Sequence, residues 1–317
     1  MARFFIVVVL ILIAGFFLLS FFLPGKEFII DFKKDSSIVI FAVGDIMLNR
    51  GVEYMVEEEG GKDFKYPFLR IKDYLDKSDI LFGNLEGPIS DKGEKVGSIY
   101  SFRADPKAVE GLVFAGFDIL SLANNHILDY QKTALEDTIS ILEENGIIYT
   151  GAGVLAEEAF SLKIIESKGV KIGFFSYTNL GSETWKNIGV AWVSEEDFKK
   201  VKEDISSAKE KVDVLIVSLH AGEEYQEEPT DFQKSFSEMA IDAGANLVLG
   251  HHPHVVQRVE KYNSGWIAYS LGNFVFDQGF SEETKEGLLL EVVIKNGKIK
   301  KVKEVKIKIS DTFQPYL

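Results

Sequence analysis

"ANLVLGHHPHVV", residues 245–256, is an apolar run that breaks into three histidines within four positions. Short apolar runs bounded by turn residues read as buried strands. The same kind of ending recurs along the chain. "IVIFAVGD" closes on Asp45, "DILFGNLE" on Asn84 and Glu86, "DILSLANNH" on Asn124, Asn125 and His126, and "DVLIVSLH" on His220. Between the runs lie amphipathic stretches at Tyr66–Lys77, Pro106–Ala115, Tyr130–Asn145, Glu195–Glu210 and Asp231–Ala243, which read as helices. Two hairpins interrupt the alternation, one turning at Lys168-Gly169 and one at Asn296-Gly297. The pattern predicts a layered α/β domain with mixed sheets and helices packed outside.

Ligands of open α/β sheets bind beyond the carboxyl ends of the strands. The five runs therefore bring all five histidines of the chain, with carboxylates and amides, to one crevice. A single strand-end Asp or Asn more often caps a turn or helix than binds metal, and a lone histidine is usually a core residue. Five such ends together point to a metal centre. Nitrogen and oxygen donors suit Mn, Fe or Zn better than a hard-cation oxygen cage. Two such ions about 3.5–4 Å apart hold a bridging water, lower its pKa and polarise a substrate oxygen.

Composition narrows the function. There are 49 acidic against 35 basic residues, a formal charge of −14, which argues against nucleic acid as a partner. No cysteine is present, so thiolate ligands, a cysteine nucleophile and disulfides are excluded. "FFIVVVLILIAGFFLLSFFL", residues 4–23, carries no charge and as a helix spans about 30 Å, the thickness of a bilayer core. No small-x-small cleavage site follows it, so it reads as an uncleaved anchor. Residues 1–24 are thus expected to form a single-pass transmembrane helix, 25–37 a polar linker, and 38–317 one domain. Arg3 before the span favours a cytoplasmic N-terminus and an extracytoplasmic body.

Several signals are set aside. "TGAGVLAEEA", residues 150–159, fits a dinucleotide-binding fingerprint but is followed by a hairpin rather than a long helix. No Gly-x-Ser-x-Gly elbow occurs. "VEEEGGKDF", residues 56–64, reads as a solvated surface segment. Arg50 and Arg103 are candidates for gripping an anionic group, since guanidinium matches carboxylate and phosphate geometry. Asn273 in "SLGNF" either lines the cleft or stabilises a turn.

"VGDIML", "GNLEGPI", "SLANNHILDY", "GHHPHVVQ" and "YSLGNFVFD", in this order over roughly residues 38–277, resemble the CapA family of capsule-synthesis proteins. That family is associated with poly-γ-glutamate and is similar to the calcineurin-like metallophosphoesterases. The resemblance implies a four-layer αββα sandwich of the metallophosphatase type. It places Asp45 and His254 on a first metal, Glu86 as the bridge, and Asn125, His220 and His252 on a second. His126 would be the general acid. Asp129 either orients His126 or caps the following helix. Glu224 and Tyr225 contact substrate or belong to a solvated acidic loop. His251 matches no ligand position and reads as a supporting or packing residue. Related phosphatases carry Asp-x-His in the first motif, and position 47 here is Met47. The resemblance further implies a membrane partner, an anionic cell-surface polymer or its precursor, and a membrane polymer-synthase complex. Two other readings keep the cleft: an exported metal-dependent phosphoesterase, and a non-catalytic accessory subunit of the synthase.

Overall fold

The computed structural model describes residues 37–317. The expected anchor over 1–24 and nearly all of the 25–37 linker lie outside the described residues. Among the described residues no helix is long and apolar enough to cross a membrane.

The strands are β1 (Ile38–Ile46), β2 (Ile80–Leu85), β3 (Ile119–Ser121), β4 (Ile148–Thr150), β5 (Lys163–Ser167), β6 (Val170–Thr178) and β7 (Val214–His220). They continue with β8 (Leu247–His251), β9 (Val259–Tyr262), β10 (Gly265–Ala268), β11 (Asn273–Val275), β12 (Glu286–Lys295), β13 (Lys298–Ile309) and β14 (Pro315–Tyr316). One sheet runs β14-β13-β12-β1-β2-β3-β4, with β11 also paired to β1. The other runs β5-β6-β7-β8-β10-β9. In the first sheet the parallel strands β1 to β4 carry antiparallel strands on the β12 side only, and in the second a parallel centre is flanked by antiparallel β5 and β9. The sheets are therefore mixed, as expected. Both predicted hairpins form, with Lys168 and Asn296 at positive φ before their glycines, the conformation of a type I′ turn.

Three apolar layers explain why the central strands are hydrophobic on both faces. Between the sheets, Ile40, Ile80 and Phe82 meet Phe174, Ile216 and Leu249. The Phe82 and Phe174 rings stack there at 6.0 Å. Phe41, Leu81 and Leu120, on the opposite face of the first sheet, pack under helices α1 (Gly51–Glu58), α2 (Ala108–Ala115) and α3 (Gln131–Glu144). Leu215, Val217 and Val248, on the opposite face of the second, pack under α4 (Phe198–Lys209) and α5 (Asp231–Ala243). Helices thus cover the outer face of both sheets.

Two local readings differ from the structure. Tyr66–Lys77 is not one helix: a 3₁₀ turn over Tyr66–Phe68 and a single α-turn over Lys72–Leu75 replace it. Phe68, Ile71 and Leu75 still bury themselves by this route, so the apolar spacing is met without a continuous helix. The segment read as solvated from residue 56 begins inside α1, which buries Val52 and Val56 and leaves Glu57 and Glu58 in water.

Close approach of β1 to the segment before β11 fixes the site end of the fold. A Cβ at Gly44 would lie 1.9 Å from the Gly272 carbonyl oxygen, and only glycine admits that contact. Asp45 N, the next residue, donates to the same oxygen at 3.0 Å. Gly44→Ala is expected to destabilise the protein by about 1–3 kcal/mol or more, read by urea unfolding. A wild-type midpoint would show that β1 and the 271–272 segment are not pinned together.

Candidate metal centre

Each expected donor stands at, or just past, a strand end. Asp45 lies near the end of β1, Glu86 directly after β2, and His220 and His251 are the last residues of β7 and β8. Asn125 and His126 follow β3, and His252 and His254 occupy the turn after β8. Asp45, Glu86, His220, His251, His252 and His254 are all buried. Contacts across the two sheets join them. Asn84 Nδ2 lies 2.9 Å from Asp45 Oδ1 and 3.2 Å from His220 Nδ1, and the His252 amide donates to Asp45 Oδ2 at 3.1 Å.

Glu86 decides the chemistry. Its carboxyl is buried, and among the described residues neither oxygen has a hydrogen-bond partner. Oε1 lies 3.6 Å from His254 Nε2 and 3.8 Å from His126 Nε2. Burial, with repulsion from Asp45 and Glu224 added against the opposing pull of His254, drives this carboxyl well above the usual carboxylate range. An ionised carboxylate in such a place needs a cation.

Donor atoms of Asp45, Glu86 and His254 lie within 4.8 Å of one another, and so do those of Glu224, His252 and His254. His220 Nε2 and Asn125 Oδ1, both expected at the second ion, approach to 2.7 Å. The His220 and His252 rings stand 5.0 Å apart. Burial pushes His220 well down and His252 to about 3, so both imidazoles are neutral and keep a lone pair to give. His254 is the opposite case. Burial lowers it, yet Glu86 and Asp45 outweigh that and raise it to about 9. Its proton balances charge that a metal ion would otherwise balance. The His254 Nδ1 hydrogen bond to Asn273 Oδ1, 3.0 Å, leaves Nε2 turned toward Glu86.

The turn that presents the pair is strained. His252 and His254 both hold positive φ, 98° and 59°, which residues with a Cβ seldom adopt. Tyr225, also at positive φ, secures the turn by donating its amide to the Pro253 carbonyl at 2.8 Å.

His126 Nδ1 pairs with Asp129 Oδ2 at 2.7 Å, and the same oxygen accepts the Phe102 amide at 2.7 Å. Tyr130, not Asp129, stands at the start of α3, and no side chain caps that end. Asp129 therefore stands one residue before that helix start, with its carboxylate on His126 rather than on the helix end. Phe102 stacks on the His126 ring at 3.9 Å.

The centre opens into a cleft of about 520 Å³ whose walls include Arg50, Tyr100, His126, Glu224, Tyr225 and Phe280. Arg50 reaches it tethered to Asp277 at 3.1 Å. Arg103 does not reach it: its guanidinium donates to the Lys92 and Gly93 carbonyls and lies over the Tyr130 ring. Asn273 supports His254 rather than facing the cleft, its amide donating to Gln278 and the Thr284 carbonyl. Met47 is fully buried, and its sulfur accepts the Asn49 amide at 3.3 Å. Asp277 was legible as one more strand-end acid. Phe102 and Tyr100 carried no signal, because nothing in a loop sequence marks which aromatic folds over a histidine.

The description bacterial capsule synthesis protein PGA_cap matches residues 39–278, three quarters of the chain. The chain belongs to this family. It is 33% identical over 268 residues to the capsule biosynthesis protein CapA of Bacillus anthracis, covering 82% of this chain and 64% of that one. To the PGA biosynthesis protein CapA of Bacillus subtilis it is 33% identical over 290 residues, covering 88% and 74%. The chain thus spans less than two thirds of the first relative and about three quarters of the second. The PGA_cap fold is shared with a novel phosphatase from Mycoplasma pneumoniae, at TM-score 0.51 and 19% identity over 86% of this chain and 94% of that one. A hypothetical protein from Thermus thermophilus gives TM-score 0.53 at 15% identity, covering 86% and 99%.

The unpartnered Glu86 carboxyl has a signed consequence. A carboxyl raised in the fold stabilises fully below its unfolded value near 4.5 and loses that contribution as pH climbs through the folded value. In chelator-treated protein at pH 7.5, Glu86→Gln is expected to raise stability by about 1–3 kcal/mol. The gain should shrink as pH falls toward 4.5, and reverse in metal-loaded protein. Thermal unfolding across pH reads both; a metal-free variant less stable than wild type at pH 7.5 would refute the assignment.

Proposed function

We propose that this protein is a membrane-anchored, outward-facing member of capsule biosynthesis whose cleft holds two divalent transition metal ions and hydrolyses or transfers a poly-γ-glutamate-type cell-surface polymer. The buried Glu86 carboxyl with both oxygens unpartnered carries the metal part of this reading. Family membership and the name of the Bacillus subtilis relative, a PGA biosynthesis protein, support the polymer. The apolar stretch at residues 4–23 supports the anchor, an extracytoplasmic domain, and docking on a membrane polymer synthase.

Asp45, Glu86 and His254 would hold one ion, and Asn125, His220 and His252 the other, with Glu224 a further donor beside His252 and His254. Bound there, Mn, Fe or Zn would supply an activated water and polarise the scissile group. The chain's own residues do the rest. His126 stands at the cleft wall with Nδ1 held by Asp129, which leaves Nε2 to deliver a proton to the leaving group. Stacking on Phe102 keeps that ring from turning. Arg50 offers a guanidinium to a carboxylate of the polymer, its charge shared with Asp277. Tyr225 and Phe280 meet edge to face at 5.0 Å and give the methylene segments of such a chain an apolar wall.

A second reading, an accessory subunit without catalysis, draws on Met47. The sulfur is engaged with the Asn49 amide, so the first ion lacks the imidazole that phosphatases place there. A Mycobacterium tuberculosis relative, 26% identical over 283 residues, is described as a probable polyglutamine synthesis accessory protein. An exported phosphoesterase is the third, and rests on the fold shared with a phosphatase.

Elemental analysis of the purified chain is expected to find about two transition metal ions per molecule, falling after Glu86→Ala or His252→Ala. Full function in metal-free protein would sink the proposal. His126→Ala should keep its metal and lose about 10²–10⁴ in turnover of the polymer, with Asp129→Asn losing less. Undiminished polymer production by His126→Ala would favour the accessory role, and chelator-sensitive turnover of small phosphoesters the phosphoesterase.

A further inference from the structure

The inward faces of five strands turn polar toward their carboxyl ends. On β3 the apolar Ile119 is followed two positions later by Ser121, on β4 Ile148 by Thr150, on β6 Phe174 by Ser176 and on β7 Ile216 by Ser218. On β8, Leu249 is level with Ser218, and His251 two positions on is level with His220, one step nearer the strand ends. A period of two keeps each polar residue on the face that its apolar predecessor buries between the sheets. Ser121 is in register with Thr150, and Ser176 with Ser218. The two rows oppose each other. Asn84, beside Ser121, reaches across the gap to His220, and a Cβ on Gly151, next to Thr150, would come 2.8 Å from that of Ser176. A polar layer is therefore sandwiched directly beneath the strand-end site.

All five side chains are at most 1% exposed. Among the described residues, none of the four hydroxyls has a hydrogen-bond partner, and neither His251 nitrogen makes an aligned bond. Native proteins leave few buried polar groups unpaired, because a dry unpaired hydroxyl is costly. Four hydroxyls drawn from both sheets, with His251 one step nearer the strand ends, form a lining rather than scattered exceptions. Buried water takes about three hydrogen bonds from such groups.

We propose that this layer encloses a cluster of ordered water, and that the water fixes His251 as the positioning residue of the Asp45 carboxylate. His251 Nδ1 stands 3.3 Å from Asp45 Oδ1, within ion-pair reach though not aligned as a hydrogen bond. Asp45 is held from its other sides by Asn84 and the His252 amide. Water hydrogen-bonded to Nε2 sets the tautomer with its proton on Nδ1, and that proton steadies the carboxylate from below. The third histidine of the motif thus acts on the centre without touching an ion. The role of Asp45 rests on the proposed metal site; the water cluster does not.

A rival account makes the hydroxyls dry, kept only because the sheets approach too closely for larger groups. The two accounts predict opposite signs. With water present, Ser218→Ala, Ser176→Ala and Thr150→Val each lower the melting temperature of the metal-free chain, on the order of 2 °C apiece. A crystal structure of that chain also shows ordered solvent within hydrogen-bonding distance of the hydroxyls. Dry hydroxyls give raised melting temperatures and no solvent density, which overturns the proposal. For His251, metal affinity is read by equilibrium dialysis with manganese. His251→Leu is expected to lose about 10–100-fold while His251→Asn, which keeps a donor near Nδ1, stays close to wild type. Unchanged affinity in His251→Leu overturns the positioning role. If the wild-type chain takes up no metal, the proposed function fails instead, and the melting temperatures still decide the water.

Discussion

A carboxyl group removed from water with no hydrogen bond of its own is the constraint around which this end of the protein is built. Among the described residues Glu86 has no hydrogen-bond partner, and its nearest imidazole nitrogens, on His254 and His126, stand 3.6 and 3.8 Å away where two sheets, three histidines and a second carboxylate converge. Its surroundings are intelligible as a charge balance that the polypeptide leaves unfinished. His254 takes up a proton against the pull of burial, while His220 and His252 are kept from doing so. One imidazole answers the acids and two remain neutral. That division follows from position: His254 faces both Asp45 and Glu86, whereas His220 and His252 face each other.

Much of the fold was legible because its signals are periodic. Central strands buried on both faces read as continuous apolar runs, and both dipeptide turns were named by residues that tolerate positive φ. Helices with strong amphipathic spacing appeared where expected, α5 among them, closed by its Thr230–Gln233 capping box and by Gly244. Tyr66–Lys77 misled because burial at Phe68, Ile71 and Leu75 asks only for the right spacing of apolar residues. A chain that bends between two short turns supplies it as well as a helix does. Strand β9, with Glu260 and Lys261 at its centre and no fully buried residue, carries no apolar run to announce it.

The site was legible for a different reason, since donors at strand ends are fixed in place by topology. Arg103 shows the limit. A loop arginine is judged by what it reaches, and here it reaches backbone carbonyls and a tyrosine ring away from the cleft. Asn273 illustrates the converse, a cleft candidate whose contacts run backward into the support of His254. Asp129 had two equal readings from its place before a helix, and only the hydrogen bond to His126 separates them.

Joining the centre across both sheets also has a kinetic side. Asp45 and the His252 amide meet over a separation of 207 residues, so this contact belongs to the most non-local class a chain of this length can make. Neither sheet alone carries a full set of donors. The full donor set therefore exists only once the two sheets have docked. A bound ion would then report finished assembly, and would slow the reopening of the two sheets far more than it speeds their first meeting.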